Sequence, residues 1–154
     1  MQNKKKIYID GASRGNPGQA GIGSVCYDAS DYKIFELSYK IPNCTNNMAE
    51  YSALLIALYS LYNSINGATH PQSVVVYSDS LLLVNQCTMK YKINNDKIRK
   101  AFLLYRDNFV GWDVQFIHIL RQYNKEADAL ANKGIDEAIF LPDSIFSFIA
   151  PLFL

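Results

Sequence analysis

The stretch Lys6-Ile7-Tyr8-Ile9-Asp10-Gly11-Ala12-Ser13-Arg14-Gly15-Asn16-Pro17-Gly18 decides how the rest of the chain is read. Lys6–Ile9 is β-branched or aromatic, as a strand should be, and it runs into an acid, Asp10, followed at once by glycine. From Asp10 to Gly23 the chain is rich in Gly, Asn, Ser and Pro, which predicts a loop. In open α/β sheets, ligands gather beyond the carboxyl ends of strands, so a strand that delivers a carboxylate into such a loop marks a candidate site.

Working outward, Ile22–Tyr27 is predicted as a second strand. Ile34, Glu36, Ser38 and Lys40 alternate with Phe35, Leu37, Tyr39 and Ile41, which predicts a third. Asp28–Tyr32 would be the turn of an antiparallel hairpin. Thr45 or Asn46 caps a helix from about Ala49 to Asn63, with Leu54, Leu55, Leu58, Leu61 and Tyr62 at helical spacing. Val74–Tyr77 is an apolar run ending at Ser78-Asp79, a buried strand. Ser80 caps a short helix over Leu81–Gln86, and Asp96–Asn108 reads as another. Val114–Leu120 is the last strand and Lys125–Ala138 a helix that ends before Pro142. The order βββ-α-β-αα-β-α predicts an α/β domain with a five-stranded mixed sheet, its first three strands antiparallel, flanked by helices.

Composition bounds the function. At 154 residues and 17.4 kDa the chain is one domain, able to bury about 70% of its unfolded surface without disulfides or structural metal. Hydrophobic residues make up 49% and charged residues 19%, which excludes disorder. Fifteen basic residues against fourteen acidic leave a net charge of +1, so any polyanion site must be local. Cys26, Cys44 and Cys87 are odd in number and form no CxxC, as expected of reduced thiols in a cytoplasmic protein. Two histidines, His70 and His118, argue against a histidine-based zinc site, and the polar Met1–Lys6 start argues against a signal peptide.

Four acids stand at element ends. Asp10 closes the first strand and Asp79 the fourth, while Glu50 and Asp128 fall in the first turns of the first and last long helices. Singly, each has an ordinary explanation: acids suit the positive end of a helix dipole, and Asp-Gly or Ser-Asp-Ser suits a turn. Together, on adjacent central strands and a helix brought over the same edge, bare carboxylates would repel unless a divalent cation bridged them. Hard oxygen ligands suit Mg²⁺ or Mn²⁺, and a pair of such ions is the usual arrangement for phosphodiester cleavage.

The flanks of these acids carry a family resemblance. The blocks Asp10-Gly11-Ala12-Ser13-Arg14-Gly15-Asn16-Pro17-Gly18-Gln19-Ala20-Gly21, Thr45-Asn46-Asn47-Met48-Ala49-Glu50, Tyr77-Ser78-Asp79-Ser80 and Asn124-Lys125-Glu126-Ala127-Asp128-Ala129-Leu130-Ala131 resemble type 1 ribonuclease H, in the family's order. They cover Lys6 to about Ile135. Arg121-Gln122-Tyr123-Asn124-Lys125-Glu126-Ala127-Asp128 is most similar to a compact subgroup in which the last block reads R-x-x-N-x-x-AD. The resemblance implies the ribonuclease H-like fold and a two-Mg²⁺ endoribonuclease, with Mn²⁺ as a substitute. Such an enzyme cleaves the RNA strand of RNA–DNA hybrids to leave a 5′-phosphate and a 3′-hydroxyl. Asp10 would bridge the ions, Asp128 would help hold the one that activates water, and Glu50 and Asp79 the one at the leaving 3′ oxygen. The backbone of Gly11, Ala12 and Ser13 and the amides of Asn46 and Asn47 would read the RNA 2′-hydroxyl, and Asn16 and Thr45 would contact the DNA strand. Capping by Thr45-Asn46-Asn47 and a turn at Asn16-Pro17-Gly18 are compatible with those contacts. The rival classes are a catalytically idle nucleic-acid-binding module, against which the four intact acids argue, and a structure-selective DNA nuclease on the same fold.

Three departures stand out. The loop before Asp128 lacks the histidine of the common bacterial form, leaving Arg121 or Asn124 as auxiliary candidates; His118 is expected to be a packed or paired strand residue. Leu81 occupies a position where many members have glutamine. The tryptophan-rich basic handle is absent, and Lys90, Tyr91, Lys92, Lys97, Arg99 and Lys100 form either a reduced hybrid-binding ridge or a solvated helix face. Residues 1–138 are therefore assigned to the ribonuclease H domain. Residues 139–154 form an apolar tail, too short and broken by proline to span a membrane, that is expected to pack on the domain. No obligate protein partner is expected, and the chain should be a monomer, with self-association through the tail as the second reading.

Overall fold

The computed structural model describes residues 4–64 and 71–154. His70 and residues 1–3 of the polar start lie outside the described residues. Strand β1 (Lys5–Arg14) pairs antiparallel with β2 (Gly18–Tyr27), and β2 pairs antiparallel with β3 (Lys33–Cys44). Strands β4 (Ser73–Ser78) and β5 (Asp113–His118) add in parallel on the other side of β1, giving the order β3-β2-β1-β4-β5. The five-stranded mixed sheet and its antiparallel first three strands are as the sequence predicts.

The segment Asp10–Gly23 is not a loop. Strand β1 continues to Arg14, β2 begins at Gly18, and only Gly15-Asn16-Pro17 turns, with Gly15 at φ +104°. Gly11, Gly21 and Gly23 in these strands serve close approach by helices. A Cβ on Gly11 would lie 2.3 Å from the Ala49 carbonyl carbon, and one on Gly23 would lie 2.2 Å from the Ala127 carbonyl oxygen. Glycine in a strand marks such contacts as readily as it marks a turn.

Helix α1 (Asn46–Ser64) starts three residues before the expected Ala49, capped by Thr45 Oγ1, which accepts from the Met48 amide at 3.3 Å. Glu50 therefore sits beyond the first turn. The helix is buried nearly all round, between the sheet on one side and α3 (Asp96–Asn108) and α5 (Asp143–Ile149) on the other. Helix α2 (Leu81–Cys87) carries the Ser80 cap, and α4 (Lys125–Asp136) covers β2 and β3. In the C-terminal segment, α5 and a final 3₁₀ turn bury Ile145, Ile149 and Leu152, while Phe148 stacks on Tyr59 with ring centroids 4.4 Å apart. His118 ends β5 exposed rather than packed, paired in the ladder with Ser78 of β4.

Two outcomes follow for stability. Gly23→Ala should overpack the β2–α4 contact and cost about 1–3 kcal/mol, read as a lower urea midpoint with unchanged slope. Truncation after Ala138 removes Ile145, Ile149 and Leu152, each worth about 1.5–3 kcal/mol when buried, and should lower Tm markedly in a thermal melt.

Candidate active site

Asp10 is surrounded by backbone contacts that bring acids to it. Across the ladder it pairs with Gly23, on which α4 rests at Ala127, the residue before Asp128. Along the chain it precedes Gly11, on which α1 rests at Ala49 and Glu50. The Gly11 amide donates to Glu50 Oε1 at 2.7 Å, which fixes that carboxylate against the strand. On the other side, Ile9 pairs with Ser78 of the parallel strand β4, so Asp79 leaves the sheet beside Asp10.

Asp10, Glu50 and Asp79 each offer a carboxylate oxygen, and these three oxygens lie within 4.8 Å of one another. Asp128 faces the same cleft, of about 400 Å³, and its carboxyl is near enough to Asp10 to share a hydrogen bond when one is protonated. Asp10 is 6% exposed and Glu50 9%. Burial, and then the charge of Asp79 and contact with Asp128, push Asp10 from its ordinary 3.8 up to about 8. Burial, then Asp10 and Asp79, hold Glu50 well above its usual range, although the Gly11 amide and Arg121 pull the other way. Clustered, partly dehydrated carboxylates of this kind are stable in ionised form beside a divalent cation, and hard oxygen donors are its preferred ligands. The donor set therefore fits a divalent metal.

The other candidates divide. Gly11, Ala12, Ser13 and Asn46 line the cleft. Asn16 ties the β1–β2 turn to α1 by accepting from the Asn46 amide at 2.9 Å, and Ser13 Oγ donates to the Cys44 carbonyl at 2.7 Å. Asn47 lies outside the cleft lining, its Oδ1 closed off without a partner, and Thr45 borders a separate hollow beside Asn95 and Lys97. Arg121 reaches the cleft with its guanidinium 3.7 Å from Asp128, but its side chain is 82% exposed. Asn124 is 1% exposed, donating to the Ile9 carbonyl at 2.8 Å and Asp79 Oδ2 at 3.3 Å, so it underpins the acids from beneath. Arg14 and Asn132 also line the cleft. Sequence reasoning passed them over, although Asn132 sits one helical turn after Asp128, a spacing that puts both on one face.

A mixed sheet with acids converging from the middle of β1, the end of β4 and two helices defines the ribonuclease H-like fold class. A family model described as "Reverse transcriptase-like" matches residues 8–134. Ribonuclease H of Chlorobium luteolum is 41% identical over 153 residues, covering 89% of this chain and 99% of that protein. Ribonuclease HI of Halobacterium salinarum is 36% identical over 132 residues, covering 85% of this chain. The chain spans 64% of the Halobacterium protein and 36% of three mycobacterial relatives. The compost-derived LC11 ribonuclease H1 superposes with a TM-score of 0.80 at 38% identity, covering 89% of this chain and 99% of its own; a structure of LC11 in complex with an RNA/DNA hybrid gives 0.82 at 37%, covering 87% and 98%. The chain belongs to the type 1 ribonuclease H family.

The raised acid has a signature in stability. Below its ordinary value Asp10 is protonated in both folded and unfolded chains and costs nothing. As pH rises from about 4 toward 8 the unfolded chain ionises first, so the metal-free fold loses stability through that window. Asp10→Asn removes this loss. Its Tm advantage over the native protein should widen between pH 4 and 8 in chelator, and a constant difference across that range would count against the burial of Asp10.

Proposed function

We propose that this protein is an endoribonuclease that hydrolyses the RNA strand of RNA–DNA hybrids, leaving a 5′-phosphate and a 3′-hydroxyl, with two Mg²⁺ ions for which Mn²⁺ can substitute. The observation that carries the proposal is the convergence of Asp10, Glu50 and Asp79 within 4.8 Å, with Asp128 on the wall of the same cleft. A solved complex of a relative with an RNA/DNA hybrid supports the choice of substrate. Divalent ions bound there would acidify the attacking water and offset charge on the leaving oxygen. Asp10, at the centre, would hold both ions. Asp128 would hold the one on the water side, and Glu50 and Asp79 the one on the leaving-group side.

The remaining residues position the substrate. The small side chains of Gly11, Ala12 and Ser13 let the RNA backbone come close, and the Asn46 amide can pair with a 2′-hydroxyl as donor and acceptor. Asn47 is assigned to the same hydroxyl, and Asn16 and Thr45 to a phosphate of the DNA strand. Arg121, in place of the absent loop histidine, would balance charge beside Asp128, and Asn124 would keep Asp79 in register. The chain has no Ser-His or Cys-His pair set up for a covalent route among the cleft residues. We assign it to the compact subgroup, acting as a monomer in the cytoplasm, with residues 139–154 completing the core of the single subunit. Among the described residues no helix is long and apolar enough to cross a membrane.

Incubation with Mg²⁺ and end-labelled hybrid, duplex DNA, duplex RNA and single strands tests the reading. Cleavage should be confined to the RNA of the hybrid, and Asp10→Asn should abolish it while the protein stays folded by circular dichroism. Binding without cleavage would identify the idle module, and cleavage of duplex DNA alone the structure-selective nuclease.

A further inference from the structure

Asp128 is held differently from the other acids. It stands outside the Asp10–Glu50–Asp79 triad, it comes from α4 rather than from the sheet or α1, and its side chain is 33% exposed. What aims it is a short chain of hydrogen bonds. Asn132 Nδ2 lies 3.0 Å from the Asp128 carbonyl oxygen and 3.4 Å from Asp128 Oδ1. A primary amide can present either its oxygen or its NH₂ to a neighbour, and here Arg14 decides which. Arg14 Nη2 donates to Asn132 Oδ1 at 3.1 Å. A guanidinium has only donors, so the amide oxygen must face Arg14 and the NH₂ must face Asp128. Arg14 is itself anchored by Asp136 Oδ1 at 2.5 Å.

We propose that Arg14 and Asn132 are positioning residues: Arg14 orients the Asn132 amide, and that amide aims the Asp128 carboxylate into the cleft. The inference rests on the reading of Asp128 as a metal-holding acid. An exposed ion pair such as Arg14–Asp136 adds little stability on its own. Its effect is orientation, since Arg14 closes β1 four residues after Asp10 and so references Asp128 to the strand that bears the central ligand. Groups behind a metal ligand act in this way, and their loss weakens metal binding or activity by about 10–100-fold.

The test uses the full chain with Arg14→Ala, Asn132→Ala, the double variant, Arg14→Lys and Asp128→Asn. Two quantities are read: the Mg²⁺ concentration giving half of the metal-induced rise in Tm, and kcat and KM on hybrid at fixed, sub-saturating Mg²⁺. Each alanine variant should raise the Mg²⁺ midpoint by about 10-fold and lower kcat with KM unchanged. The double variant should be no worse than Asn132→Ala alone, because both side chains act through one amide. Arg14→Lys, which keeps a donor for the amide oxygen, should recover part of the loss. Additive losses with a raised KM would mean that Arg14 meets the substrate directly, and would overturn the relay. So would native midpoints in both alanine variants while Asp128→Asn shifts its own. If Asp128→Asn itself leaves midpoint and turnover unchanged, the assignment of Asp128 falls and the relay with it.

Discussion

The site depends on two backbone-to-backbone contacts at the neighbours of a single aspartate. Gly11 follows Asp10 in the chain, and Gly23 faces it across the ladder. Each admits a helix so closely that a methyl group would collide with main-chain atoms. Through the first contact α1 sets Glu50 beside Asp10, and through the second α4 brings Asp128 over the same edge. Gly21 and Gly134 extend the second seam, with added Cβ atoms falling 2.5 Å from the Ala131 oxygen and 2.6 Å from the Tyr39 backbone. The helix–sheet spacing is therefore set by the absence of side chains, and the position of the acids follows from it.

That placement has an electrostatic cost. Glu50 is the sole charged residue of α1, a helix otherwise built to be enclosed. Asp10 is buried as well, and dehydration together with mutual repulsion favours its protonated form. The Gly11 amide and the Asn124 carboxamide offset part of this by donating to Glu50 and Asp79. Arg121 offsets a little more from its exposed position. The balance left over is what a divalent cation would neutralise, so the strain among the acids and the affinity of the cleft for metal have one origin.

How much of this was legible in the sequence differs from element to element. The alternation at residues 34–41 and the helices read at 96–108 and 125–138 identify elements that exist, the last ending two residues sooner, at Asp136. The order of the elements was enough for the sheet topology, and the flanks of the four acids were enough for the family. The segment Asp10–Gly23 was misread because glycine is ambiguous in one dimension: it permits a turn, and it also permits a helix to lie on a strand, and only the partner distinguishes them. Helix α5 was not foreseen, since a seven-residue apolar helix has too few turns for its period to show. The Arg14–Asn132 contact joins residues far apart in the chain, and neither is unusual by itself. Asn124 was named as an auxiliary group in the loop, yet lies beneath the acids, because the turn Arg121–Tyr123 carries the backbone inward before α4 begins.

The four acids are drawn from residue 10, residue 50, residue 79 and residue 128, on the middle of one strand, the end of another and two helices that meet only when the sheet is complete. No hairpin or contiguous fragment of the chain contains more than a part of the cluster. Folding must close several long loops before the acids converge, and convergence is then the event that metal can reward. Divalent cation consequently acts as a selective ligand of the finished fold, with nothing comparable to grip in a partly folded chain. A molecule that has lost the register of β1 or β4, or the seating of α1 or α4, no longer brings all four acids together, so the complete cluster reports correct assembly of these elements.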